Sequence, residues 1–358
     1  MDFNNSIDFS HKKSFQKFLA SSITIGGKEV KNRLFLAPMA GLGHVAFREL
    51  ISQFGGFGLL FTGMCSAKAL PQENRNISAV FKWRDEELEY LVCQIFGSEP
   101  KSMALAAKRI EKEGFFGVDL NFGCCAAAIC KKGAGAALLK EPNLAKDIVK
   151  AVRDAVSITV FVKFRSGWDS DPLSAAIDSA KMAEAFEKAG ADALVYHPRV
   201  APDRRLRPPK WEHIKLIKDI VSIPVFGNGN IFEPLDCQKM LKESGCDGIS
   251  IGRMAVAKPW IFSSIAGNSL AEYENIYHHT ATCMLNLLLK HYEERLAVKM
   301  FKKFVPYYAA GFKFGHSISK QLLRADRASE IKQVIDAIFK EPFEQPEAID
   351  RPNLHLLL

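Results

Sequence analysis

The chain has 358 residues, 48% of them apolar and 25% charged, with a formal charge of +8. That composition is of an ordinary globular protein and excludes a disordered or collagen-like chain, and no run of roughly 20 apolar residues suggests a membrane span. The basic excess fits a polyanionic partner such as nucleic acid, or a phosphorylated substrate.

The N-terminal MDFNNSIDFSHKK is polar and has no signal-peptide core, so a cytoplasmic location with reduced thiols is expected. The eight cysteines lack the paired spacing of a zinc site, and no metal is expected. Residues 1–30 read as an N-terminal extension with room for a hairpin.

From residue 34 to 253 short apolar runs alternate with amphipathic stretches. The runs are LFLAPM (34–39), GLLFTGM (58–64), LVCQIFG (91–97), GVDLNFG (117–123), TVFVKF (159–164), ALVYHP (193–198), PVFGNG (224–229) and GISIGR (248–253). Between them NLAKDIVKAVRDAV (143–156) places apolar residues three and four apart, and AAIDSAKMAEAFEKAGA (175–191) ends on a helix-stopping glycine. Continuous apolar strands separated by helices predict a parallel sheet. Eight such units predict a (β/α)8 TIM barrel over 31–265. The competing doubly wound sheet lacks a G-x-G-x-x-G after its first strand. Residues 266–342 read as helix only, a small all-helical domain, and 343–358 as an irregular tail.

In such a barrel the chemistry sits at the C-terminal strand ends. Gln94 and Asn121 lie at strands three and four, Lys163 and Arg165 end strand five, and His197 ends strand six. Asn228, Gly229, Gly252 and Arg253 end strands seven and eight, where the fold frequently binds phosphate and where glycine lets backbone N–H groups approach the oxygens. Lys163 on an apolar strand needs a counter-charge. The anionic edge of a reduced flavin would supply it, with His197 in support. A structural ion pair with Asp119 would do the same.

The ordered set resembles the dihydrouridine synthase family, the flavin-dependent reductases of uridine in RNA. The matching segments are NRLFLAPMAGLGHVAFREL (32–50), SAKAL (66–70), VCQIFGSEP (92–100), VDLNFGC (118–124), KKGAGAALL (131–139), VKFRSGW (162–168), VYHPR (195–199), IPVFGNGNI (223–231) and IGRMAVAKPWIF (251–262). The resemblance implies FMN at the barrel mouth. Gln94, Lys163 and His197 match ring contacts, Asn228, Gly229, Gly252 and Arg253 match phosphate contacts, and Ala37, Pro38 and Met39 match the segment behind the flavin. It implies that NADPH, or NADH, reduces FMN, that hydride passes from the flavin N5 to uracil C6, and that Cys124 protonates C5. Asn121, Arg165 and Arg199 are then the candidates for holding the substrate. The chain departs from the family at Cys125, where proline is usual, at Ala126 to Ala128, where lysines are frequent, and at Gly63, Pro198, Val200 and Asn230.

RNA is the implied partner, tRNA first and ribosomal RNA second, with no membrane or obligate protein partner. Two basic clusters would grip its phosphates. One comprises Arg199, Arg204, Arg205, Arg207 and Lys210. The other comprises Lys299, Lys302, Lys303, Lys313, Lys320, Arg324 and Arg327, interleaved with Tyr307, Tyr308, Phe312 and Phe314, whose rings would stack bases or fill a core. The competing readings are an FMN-dependent ene-reductase of small molecules and a non-catalytic RNA-binding relic.

Overall fold

The computed structural model describes residues 12–203, 207–340, 346–349, 351–352 and 354. Its strands are β1 (Ile23–Ile25), β2 (Lys28–Val30), β3 (Leu34–Leu36), β4 (Leu60–Phe61), β5 (Cys65–Ser66), β6 (Leu91–Phe96), β7 (Gly117–Phe122), β8 (Thr159–Arg165), β9 (Ala193–His197), β10 (Val225–Asn228) and β11 (Gly248–Ile251). Strands β1 and β2 pair as an antiparallel hairpin. The others run parallel in the order β3-β11-β10-β9-β8-β7-β6-β4, and a parallel bridge from Phe35 to Leu59 closes the cylinder. The barrel expected from the alternation is the fold observed.

The expected second strand is shorter than its apolar run. At Thr62 the side chain takes over from the ladder. Its Oγ1 donates to the Gly63 carbonyl at 2.8 Å and accepts from the Gln94 N–H at 3.0 Å. Pairing with β6 resumes only at Cys65, in β5. The helix expected over 143–156 spans Pro142–Arg153, with proline in its first turn.

Alternation along each strand sorts two cores. Leu34, Leu36, Val118, Leu120, Val160, Val162, Leu194 and Tyr196 face the surrounding helices. Phe35, Phe61, Val92, Phe161, Val195 and Phe226 fill the interior, and Ile25 and Val30 of the hairpin close its N-terminal end. Phe35 stacks on Phe226 with ring centroids 4.0 Å apart. Toward the C-terminal ends the same inward register turns polar. Phe161 gives way to Lys163 and Arg165, Val195 to His197, Phe226 to Asn228, and Val92 to Gln94. The barrel is therefore apolar at its base and polar at its mouth.

Four C-terminal helices span Ile276–His291, Glu294–Ala309, Gly315–Arg324 and Ala328–Ile338. The second buries Ala297, Val298, Phe301, Phe304, Val305 and Tyr308, the three-and-four spacing of one helix face. The first packs on the barrel helix Val45–Phe54, where Lys290 meets Glu49 at 2.6 Å. In that barrel helix Arg48 is fully buried against Glu87 at 2.6 Å. Arg48 also donates to the carbonyls of Gly43 and Lys82, each at 2.7 Å. The guanidinium thus anchors the loop after β3. Among the described residues no helix is long and apolar enough to cross a membrane.

The chain then returns to the barrel. Ala348 bridges to Phe312, Lys258 Nζ donates to the Ile349 carbonyl at 3.0 Å, and Arg351 reaches Glu233 at 3.0 Å and Asp236 at 2.8 Å. Leu354 ends this path buried at the barrel mouth.

Candidate active site

A cavity with about 610 Å³ of atom-free space, open solvent included, lies at the C-terminal strand ends. Its walls include Ala37, Pro38 and Met39 after β3, Lys163 on β8, His197 on β9, Asn228 and Gly229 at the end of β10, and Gly252 and Arg253 after β11. Ser250, Ile251, Asn230, Ile231, Phe232, Met254 and Leu354 complete it.

Lys163 Nζ donates to Asn228 Oδ1 at 3.3 Å, and Asn228 Nδ2 donates to the Ser250 carbonyl at 2.7 Å. Asn230 takes a left-handed φ of 55°, unique among the described non-glycine residues. Its Oδ1 accepts from Arg253 Nη2 at 3.2 Å and from Arg199 Nη2 at 3.5 Å. Arg253 Nη1 donates to the Leu354 carbonyl. Two arginines therefore converge at one end of the cavity, with Lys163 set apart on β8.

Two glycines keep that space open. A Cβ at Gly252 would point between Ala37 and Met39, at 3.6 and 3.7 Å. Gly229 has φ +116°, and a Cβ there would sit 2.9 Å from the His197 ring. Burial, then the fields of Arg165, Lys163, Arg199 and Arg253, hold His197 well below its ordinary pKa. It is a neutral imidazole, and its buried Nε2 has no hydrogen-bond partner. Burial also pulls Lys163 down, against the field of Asp119. A flat, partly apolar ring carrying a phosphate fits this donor set: cations at one end, an unpartnered imidazole nitrogen and a lysine, and glycine-lined walls. FMN has that chemistry.

Beside the cavity, a chain of amides rises through the barrel. Asp119 Oδ2 accepts from Gln94 Nε2 at 2.7 Å, and Gln94 Oε1 accepts from Asn121 Nδ2 at 2.8 Å. Asn121 Oδ1 accepts from the N–H groups of Gly123 at 3.2 Å and Cys124 at 2.9 Å. The Cys124 carbonyl accepts from the Ala136 N–H at 2.8 Å. The two adjacent cysteines differ. Arg165 Nη1 contacts Cys125 Sγ at 3.5 Å; Cys124 makes no such contact, and lies within electrostatic reach of both Arg165 and the cavity-lining Lys163. Both thiols are free.

Of the residues singled out for a flavin, all but Gln94 line this one cavity. Gln94 lies beneath the mouth, between Asp119 and Asn121. The alternative ion pair of Lys163 with Asp119 is not formed as a direct contact; Lys163 turns to Asn228. Arg165 and Arg199 are both buried, Arg165 with a further bond to the Val200 carbonyl at 3.3 Å. Arg199 faces Asn230 rather than the outer surface expected of an RNA-gripping cluster. Arg204 and Arg205 lie outside the described residues. Arg207 is engaged by Asp203, Lys302 by Asp326 at 2.7 Å and Lys313 by Glu347 at 2.8 Å. Lys299, Lys303, Lys320 and Arg324 are exposed. The Lys303 ammonium reaches the loop after β3, where a Cβ on Gly41 would sit 3.1 Å from it. Tyr308 and Phe312 are core residues, not base-stacking platforms, while Phe314 is 66% exposed.

Sequence reasoning missed Leu354, and it read Asp119 only as a counter-charge for Lys163, not as the acceptor for Gln94. The period of two puts Asp119 two residues before Asn121 on the same inward face. No local pattern points to Leu354, whose place depends on a path across the surface.

A sequence model of the dihydrouridine synthase family, "Dihydrouridine synthase (Dus)", matches residues 35–343. The chain is 36% identical over 297 residues to tRNA-dihydrouridine synthase B of Pseudomonas aeruginosa, covering 81% of this chain and 87% of that one. It is 33% identical over 337 residues to tRNA-dihydrouridine synthase B of Vibrio parahaemolyticus, covering 91% and 97%. Among solved structures, the old yellow enzyme from Trypanosoma cruzi superposes with a TM-score of 0.52 at 12% identity, covering 70% of this chain and 92% of that one. A 2-naphthoyl-CoA reductase complex does so with a TM-score of 0.53 at 15% identity, covering 71% and 53%. These two likenesses are of fold. The sequence matches run through barrel and helices alike, and the chain belongs to the dihydrouridine synthase family of oxidoreductases.

Proposed function

We propose that this chain reduces the C5=C6 bond of uridines in tRNA to dihydrouridine, with FMN in the mouth cavity and NADPH, or NADH, as the source of electrons. One observation carries the reading. Nine residues that sequence alone marks for a flavin, from Ala37 to Arg253, line a single cavity, and the Cys124 loop is held by Asn121, the register partner of the cavity-lining Lys163. The tRNA part of the reading is supported by the relatives, whose names carry that substrate over nearly their whole length.

FMN bound there would supply a hydride for C6. Lys163 and the neutral His197 would hold its ring, and Arg253 with Asn230 and Gly229 would hold its phosphate. Cys124 donates the proton to C5, since its thiol is not committed to Arg165 as that of Cys125 is. Asn121 fixes the Cys124 backbone. A uridine must leave its stack to enter such a pocket, and the exposed Lys299, Lys303, Lys320 and Arg324 hold the flanking phosphates.

The deciding experiment is mass spectrometry of dihydrouridine in separated tRNA and ribosomal RNA, from cells with and without the gene. Loss from tRNA is expected. Loss from ribosomal RNA alone would move the substrate to that pool. No loss from either, in a strain with no second synthase, together with a colourless purified protein, would overturn the reading.

A further inference from the structure

We propose that Asp119 is a positioning residue: through Gln94 and Asn121, its carboxylate fixes the loop that carries Cys124. The proposal rests on the reading that Cys124 serves the reaction.

Asp119 is wholly buried one inward layer below Asn121 on β7. It does not line the cavity; its charge acts on the cavity-lining Lys163 without a direct contact. Its side-chain hydrogen-bond partner is the amide of Gln94 on the neighbouring strand β6. A buried carboxylate is costly unless it is paired and hydrogen-bonded, and Gln94 supplies the bond.

What depends on it is the direction of the relay. A side-chain amide presents a donor at one end and an acceptor at the other, so a chain of two amides has a polarity. At the top, two backbone N–H groups, of Gly123 and Cys124, need an acceptor. Asn121 therefore turns its oxygen up and its nitrogen down. Gln94 must then turn its oxygen up and its nitrogen down. The lower end of the chain needs an acceptor, and Asp119 Oδ2 is one. An apolar residue at that position would leave the Gln94 amide unsatisfied in the core, free to rotate and to release Asn121.

Two variants separate this from other roles. Asp119→Leu removes the acceptor while keeping the same branched skeleton of heavy atoms. Asp119→Asn removes the charge but keeps a carbonyl that accepts the same bond. In Asp119→Leu we expect alkylation of Cys124 in the purified protein, read by peptide mass spectrometry, to be faster by about tenfold, with Cys125 as the internal comparison. We expect kcat for dihydrouridine formation to fall by about tenfold while KM for tRNA stays within roughly threefold. Asp119→Asn should restore both. Wild-type alkylation in Asp119→Leu would overturn the proposal. So would an Asp119→Asn variant as impaired as Asp119→Leu, because charge and not the accepted bond would then be the cause. Should Asp119→Leu not fold, Gln94→Leu cuts the same relay one link higher, and the same faster alkylation of Cys124 is expected. A wild-type enzyme that makes no dihydrouridine defeats the functional reading, and the alkylation rates still decide the role of Asp119.

Discussion

The side chain of Asn121 holds the backbone of Cys124: its Oδ1 accepts the Cys124 N–H at 2.9 Å. Cys124 and Cys125 are adjacent in sequence but differ in their contacts. Cys125 Sγ lies against the buried guanidinium of Arg165, and Cys124 Sγ does not, though the charges of Arg165 and Lys163 both reach it. Cys124→Ala is expected to abolish dihydrouridine formation while the purified protein keeps its FMN absorbance. Cys125→Ala is expected to lose little activity. Mass spectrometry of tRNA incubated with each variant and NADPH checks both; a dead Cys125→Ala beside an active Cys124→Ala would reverse the assignment.

Gly135 lies directly behind this loop. It has φ +63°, and a Cβ would meet the Cys124 carbonyl oxygen at 2.5 Å and the Cys124 Cβ at 3.2 Å. Both backbone strain and the clash oppose any side chain there. Gly135→Ala is expected to cost roughly 1–3 kcal/mol of stability. It should also lower activity by displacing Cys124, with less effect on FMN content. Urea unfolding and a flavin-to-protein absorbance ratio measure the two effects.

His44 caps the barrel helix Val45–Phe54, its Nδ1 accepting the Phe47 N–H at 3.2 Å. Burial first, then the fields of Arg48, His291 and Lys303, push it down to about 3. In the folded protein it stays neutral, whereas in the unfolded chain it gains a proton below its ordinary pKa of about 6.5. The unfolded state therefore binds more protons between these values, and stability falls as pH drops through that window, by at most about 1.4 kcal/mol per pH unit from this group. His44→Asn keeps a capping acceptor and does not titrate. Its unfolding free energy should decline less steeply from pH 6.5 to 4 than that of the wild type. Equal slopes would show that His44 does not contribute.

The exposed lysines of the helical group are not equivalent. Lys302 already serves Asp326, whereas Lys299 and Lys303 border a hollow between helix Glu294–Ala309 and the loop after β3. If RNA lies across that junction, Lys299→Ala and Lys303→Ala should each weaken tRNA binding and flatten its salt dependence by about 0.7–0.9 in log–log slope. Lys302→Ala should do less, because its charge is already shared. Binding titrations at several salt concentrations would test this, and identical slopes for all three variants would count against it.

Much of the site was legible because barrel geometry converts strand position into location. A polar residue late in an apolar run, such as Lys163 or Asn228, has one place to go. Side-chain partnership was less legible. The sequence offers Asp119 as a counter-charge for Lys163, but it does not say that Gln94 on the neighbouring strand will take the carboxylate first. Nor does periodicity separate an exposed aromatic from a core one in the turn between helices Glu294–Ala309 and Gly315–Arg324: Phe314 is open to solvent and Phe312, two residues earlier, is buried. Arg199 shows the same limit. It reads as part of a basic surface, yet the turn at Asn230 draws it inward.

The buried Leu354 makes the cavity wall depend on a stretch of chain far from the barrel strands in sequence. Its carbonyl is bound by Arg253 and it forms part of that wall, so a bulky label attached at Leu354 would crowd the doorway of the pocket. The hairpin β1–β2 closes the opposite end of the barrel. A label placed in its Gly26–Gly27 turn leaves the doorway clear, and it is the arrangement to use for crystallisation with cofactor or RNA.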